Sequence, residues 1–111
     1  MKKVILALIS CLIATQAQAQ TFTGTGTITY VENGWNGEGF AIRTDAGIVA
    51  PAGCTAATNE FAVVSTHAAY KQIVAMVLSA YYTKSKVQLV VTPGSCTLGN
   101  RTSIAAVRLT Q

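Results

Sequence analysis

Few of the residues that most chemistry depends on occur in this chain. Its 111 residues include one histidine, four acidic side chains and two prolines, and only 11% are charged. The lone histidine, His67, excludes a histidine-rich metal centre, and its spacing to the cysteines is not that of a ligand pair. The acids Glu32, Glu38, Asp45 and Glu60 fall in or near predicted turns, without the spacing of a paired general acid and base. No G-x-S-x-G elbow accompanies His67, and there is no phosphate loop, dinucleotide fingerprint or C-x-x-C motif. The basic residues Arg43, Lys71, Lys84, Lys86, Arg101 and Arg108 are scattered, so the basic stripe that nucleic acids require is missing. The expectation is a protein without catalytic residues, metal or other cofactor, and without a nucleic-acid partner.

What is there begins at the N-terminus. Lys2 and Lys3 precede an apolar stretch from Val4 to Thr15, and Ala17-Gln18-Ala19 follows as an A-x-A cleavage site. The stretch is too short to span about 30 Å of hydrocarbon. Residues 1–19 therefore read as a signal peptide and 20–111 as a single exported domain, periplasmic or secreted. Leu8-Ile9-Ser10-Cys11 resembles the box before a lipid-modified cysteine, but apolar residues continue past Cys11 and the A-x-A site fits the order of regions better.

Cleavage simplifies the arithmetic. Without Lys2 and Lys3 the net charge falls from +4 to +2. Of three cysteines, Cys11 departs and Cys54 and Cys96 remain. An even pair in a small exported domain predicts a structural disulfide, worth about 4 kcal/mol for a loop of this length.

The mature chain reads as mainly β with one helix. Phe22–Val31 predicts a strand, with Gly24 and Gly26 marking a bulge or a strong bend in it. Residues 32–37 read as a hairpin loop and Gly39–Thr44 as the second strand. A third strand starts at Ile48–Ala50, is interrupted by Pro51-Ala52-Gly53, and resumes at Glu60–Val64. Thr66 reads as the N-cap of a helix over 67–83. A fourth strand, Val87–Val91, is stopped by Pro93-Gly94, and Ser103–Leu109 forms the fifth. The order β-β-β-α-β-β is that of a small five-stranded OB-fold barrel.

Two surfaces stand out. On the helix, Tyr70, Ile73, Val77 and Tyr81 form a stripe for the core, yet Ala75, Met76, Ser79 and Tyr82 leave the opposite side short of charge. A helix apolar nearly all round predicts a second packing partner, here other copies of the chain. At the hairpin tip, Trp35 either stacks on a sugar ring or folds back over the barrel edge. Asn33 and Asn36 beside it suit either glycan hydrogen bonds or turn chemistry.

With its signal peptide, OB order and a helix ending in Ala80-Tyr81-Tyr82-Thr83 before Val87-Gln88-Leu89, the chain resembles the B subunits of bacterial toxins that combine one A and five B subunits. The subtilase cytotoxin and the pertussis-like and typhoid toxins are the nearest in pattern. The resemblance covers roughly residues 22–95. It implies a non-enzymatic homopentameric ring with its helices around a pore, a separate catalytic A subunit, and a face that binds cell-surface glycans. In those proteins a serine early in the first strand helps to bind sialic acid. Its nearest equivalent here is Thr25, with Thr23 next. The strand-two cysteine of those relatives has no counterpart in Phe40-Ala41-Ile42. The other reading is a stand-alone exported OB-fold protein with a structural, ligand-binding or inhibitory role.

Overall fold

The computed structural model describes residues 20–33, 37–46 and 54–110. The predicted signal peptide, Trp35, Asn36 and the segment 48–50 lie outside the described residues. The strands are β1 (Thr21–Gly26), β2 (Ile28–Asn33), β3 (Gly39–Thr44), β4 (Glu60–Val64), β5 (Lys86–Thr97) and β6 (Arg101–Thr110). One helix, α1 (Tyr70–Thr83), connects β4 to β5.

Among the described residues the fold is mainly β with one helix, as expected, but the sheet has six strands and is open. The order is β1-β5-β6-β4-β3-β2. All pairs are antiparallel except β4 with β6, which run parallel. The sixth strand arises because the expected first strand breaks at Thr27. Its halves, β1 and β2, then stand at opposite edges of the sheet.

Alternation places Phe40 and Ile42 of β3, Phe61 and Val63 of β4, Val87, Leu89 and Val91 of β5, and Ile104 of β6 on one buried face. Helix α1 covers that face with Ile73, Val77 and Ala80, three residues at helical spacing. Burying Ile73 and Val77 stabilises the fold by about 1.5–3 kcal/mol each. Tyr70, Val74, Leu78 and Tyr81 pack at the margins. Tyr70 and Tyr81 thus flank the core stripe, and Ala80 takes the buried position.

Two expected boundaries are corrected. The helix begins at Tyr70, and Thr66 is not its cap. Ala69 takes the N-cap position with no side-chain cap, and His67 holds the turn before it: its Nδ1 accepts from the Ala69 amide (2.9 Å) and its backbone carbonyl from the Tyr70 amide (3.0 Å). Pro93-Gly94 does not end β5, which continues to Thr97. The pairing jumps from Thr92↔Ser103 to Cys96↔Thr102, so residues 93–95 form a bulge. Proline's missing N–H falls where no ladder bond is required, and Gly94 takes the positive φ of 79° there.

The Cys54–Cys96 disulfide is present, with an S–S distance of 2.07 Å. It ties the segment preceding β4 to the far part of β5. The Ala56 amide adds a hydrogen bond to the Asn100 carbonyl in the β5–β6 turn (3.1 Å).

Candidate binding face

A bulge near the start of β1 decides which threonine faces out. Phe22 pairs with Val90 and Thr25 with Gln88, so three steps on β1 match two on β5. The extra residue turns Phe22 and Thr25 to the same outer face and sends Thr23 inward. Thr23 is 5% exposed. Its hydroxyl accepts from the buried Leu89 amide (3.0 Å) and donates to the Gly24 carbonyl (2.9 Å). Thr23 is therefore committed to closing the bulge. Thr25 is exposed, and its hydroxyl has no hydrogen-bond partner among the described residues.

Three side chains surround Thr25 on that face. Gln88, its pairing partner, donates from Nε2 to the Thr23 carbonyl (3.1 Å). The Gln88 Oε1 accepts from Arg108 Nη1 (3.2 Å), because Arg108 lies opposite Gln88 on β6. The Arg108 guanidinium stands over the Phe22 ring, 4.9 Å from its centroid, and Phe22 remains 47% exposed. The arrangement brings together an apolar ring, an amide, a hydroxyl and a cation. Sequence reading reached only Thr25, since Phe22, Gln88 and Arg108 converge through strand register.

A second outer surface carries paired charges. Register aligns Tyr30, Arg43 and Glu60 across β2, β3 and β4. Arg43 pairs with Glu60 and stands 5.3 Å from the Tyr30 ring centroid. Arg101 reaches both Glu60 (3.5 Å) and Glu32, so one guanidinium on β6 is linked to β4 and to edge strand β2. Its Nη1 also donates to the Leu98 carbonyl (2.8 Å). The outward residues between these charges are small and covered: Gly39, Ala41 and Ala62, the last with no exposed surface. A Cβ on Gly39 would overlap Leu98 and the Val63 carbonyl, so this position must be glycine.

The network leaves little chemistry free. The Tyr30 hydroxyl donates to Glu32 (2.6 Å), which holds that phenol above its ordinary pKa because ionisation would end the hydrogen bond and set two negative charges together. Arg43 is held above its usual value by Glu60. The other acids are also engaged: Asp45 by Thr27, and Glu38 by the Ser65 hydroxyl (3.3 Å). Among the described residues no three His, Cys, Asp or Glu side chains cluster as metal ligands would.

The helix residues expected at an oligomer interface face away from the sheet. Ala75 and Ser79 are exposed, Tyr82 is 80% exposed, and Met76 is half-buried beside them. Asn33 is exposed at the end of β2.

Searches against protein-family models, curated proteins and solved structures found no match to this chain.

Proposed function

We propose that residues 20–111 form an exported, non-enzymatic binding module of the toxin B-subunit type. It binds a cell-surface glycan on the β1–β5–β6 face and assembles as a ring, a homopentamer, that carries a separate catalytic chain. The observation that carries the binding reading is the β1 bulge, which turns Phe22 and Thr25 out beside Gln88 and Arg108. Thr25 supplies a hydroxyl able both to donate and to accept, as sugar recognition requires.

The OB reading belongs to the same proposal. A single residue, Thr27, separates the two edge strands, so β1 and β2 count as one strand bent at that point. Five strands then remain, in the order one, four, five, three, two and back to one, with the helix between strands three and four. That order, and the parallel β4–β6 pair, fit an OB-fold. The ring reading is supported by the outward stripe of Ala75, Ser79 and Tyr82, which is uncharged and uncovered.

Glycan binding by the purified, oxidised exported protein tests the proposal. A defined set of glycans is retained by the wild type and lost in Thr25→Ala, whose stability is unchanged. Retention of the same set by Thr25→Ala, or of none by the wild type, overturns the glycan reading.

A further inference from the structure

Two three-stranded parts of the sheet meet at one short seam. β1, β5 and β6 form one part and β4, β3 and β2 the other, each held by antiparallel pairing. Between the parts, β4 and β6 run parallel and pair at Phe61↔Thr102 and Ala62↔Ser103. From 104 to 110, β6 pairs with β5 alone among the described residues. Three further ties join the parts, all beside the same end of β6. Arg101 reaches Glu60 on β4 and Glu32 on β2, and the Ala56 amide donates to the Asn100 carbonyl (3.1 Å). The third is the Cys54–Cys96 disulfide, which fastens the segment before β4 to β5. Of the three it alone is covalent. Cys96 is exposed and Cys54 half-buried, so a thiolate from solution can reach the bond from the Cys96 side.

We infer that Cys54–Cys96 is a redox-sensitive latch on the β4–β6 seam, closed when oxidised and released by a dithiol reductant. A thiolate of the reductant attacks Cys96 Sγ, the S–S bond breaks, and Cys54 leaves as a thiolate that takes up a proton. The second thiol then attacks the reductant's own sulfur in the mixed disulfide and frees the Cys96 thiol. The reductant ends as a disulfide, and two electrons have passed to the cysteines. A crosslink suppresses those local openings that draw its two ends apart. Parting β4 from β6 separates Cys54 from Cys96. Fraying β5 from β6 at the Lys86↔Thr110 end does not, because both strands lie on one side of the seam. Reduction therefore loosens the seam ahead of the β5–β6 hairpin. The β1–β5–β6 part keeps its register, including the bulge closed by Thr23, and the latch is independent of whether that face binds a glycan.

Hydrogen exchange read by mass spectrometry tests the latch, on the purified oxidised protein and on the same protein reduced with dithiothreitol. The quantity compared is the exchange rate of the seam amides, residues 61–64 and 101–103, relative to that of residues 87–91 in the hairpin. Reduction is expected to raise this ratio by at least about tenfold, and reoxidation to restore it. The double variant Cys54→Ser, Cys96→Ser shows the raised ratio with no reductant present, which separates loss of the bond from any other effect of dithiothreitol. A ratio that reduction leaves unchanged overturns the latch, whether every amide accelerates together, as in global unfolding, or none does. A disulfide that dithiothreitol fails to open without denaturant, read as no mass gain on alkylation, overturns it also.

Discussion

Asp45 accepts both donors of Thr27, the amide at Oδ1 and the hydroxyl at Oδ2, each at 2.6 Å, and returns its own amide to the Thr27 carbonyl at 3.0 Å. These bonds fasten the one residue between the edge strands to the end of β3. Gly26 is required beside them, since a Cβ there would meet the Asp45 carboxylate and the Ala46 backbone. The corner is what lets one stretch of chain serve two edges of the sheet.

The Thr27 bonds hold the Asp45 carboxyl below the usual carboxylate range. A pKa lower in the folded than in the unfolded state stabilises the fold at pH values above the unfolded value, near 4, and that contribution fades as pH falls through the folded value. Asp45→Asn is therefore less stable than wild type by a constant amount above about pH 5, with the gap closing in more acid solution. Urea midpoints between pH 7 and pH 2 measure it. A gap that is independent of pH would count against this account of the corner.

The two β1 threonines separate fold from binding. Thr23→Val leaves the buried Leu89 amide without its acceptor and costs about 1–3 kcal/mol. Thr25→Val, at an exposed position, changes stability by no more than about 0.5 kcal/mol. Equal destabilisation by the two substitutions in a denaturant titration would show that the bulge does not sort them as described.

The charged network gives a graded expectation. Arg101 is the partner of two glutamates and its side chain is only 16% exposed, so Arg101→Leu costs about 2 kcal/mol, within the range between surface and buried pairs. Arg43 is 46% exposed, and Arg43→Leu costs less than about 1 kcal/mol. Thermal unfolding of the two variants settles the order.

Inside the sheet, Thr44 is 1% exposed and its hydroxyl has no partner among the described residues. Thr44→Val keeps the shape and removes a desolvated polar group, raising stability by about 1 kcal/mol. A drop in the unfolding midpoint would show that the hydroxyl is paired.

Local chemistry was legible in the sequence wherever one segment carried its own signal. Gly39–Thr44 matches β3 to the residue, the resumed part of the third strand, Glu60–Val64, matches β4, and the pair Cys54 and Cys96 sufficed for the disulfide. The body of α1 followed from 14 residues without glycine or proline. Its start did not, because the helix begins at Tyr70 without a side-chain cap, after a turn held by the His67 imidazole, where a threonine hydroxyl was expected. Pro93-Gly94 read as a terminator because the bulge that accommodates it depends on the partner strand. Arg108 gave no signal at all. In sequence it is one of three scattered arginines, and only the β1–β5–β6 register sets it over Phe22 while Arg43 and Arg101 meet glutamates.

The ring is the central claim of the proposed function, and the molar mass of oxidised residues 20–111 by light scattering on a size-exclusion column tests it most directly. A mass near five times that of residues 20–111 is expected, falling to the monomer in Tyr82→Lys without loss of the folded state. A wild-type monomer at all concentrations would contradict it and would favour a stand-alone binding domain.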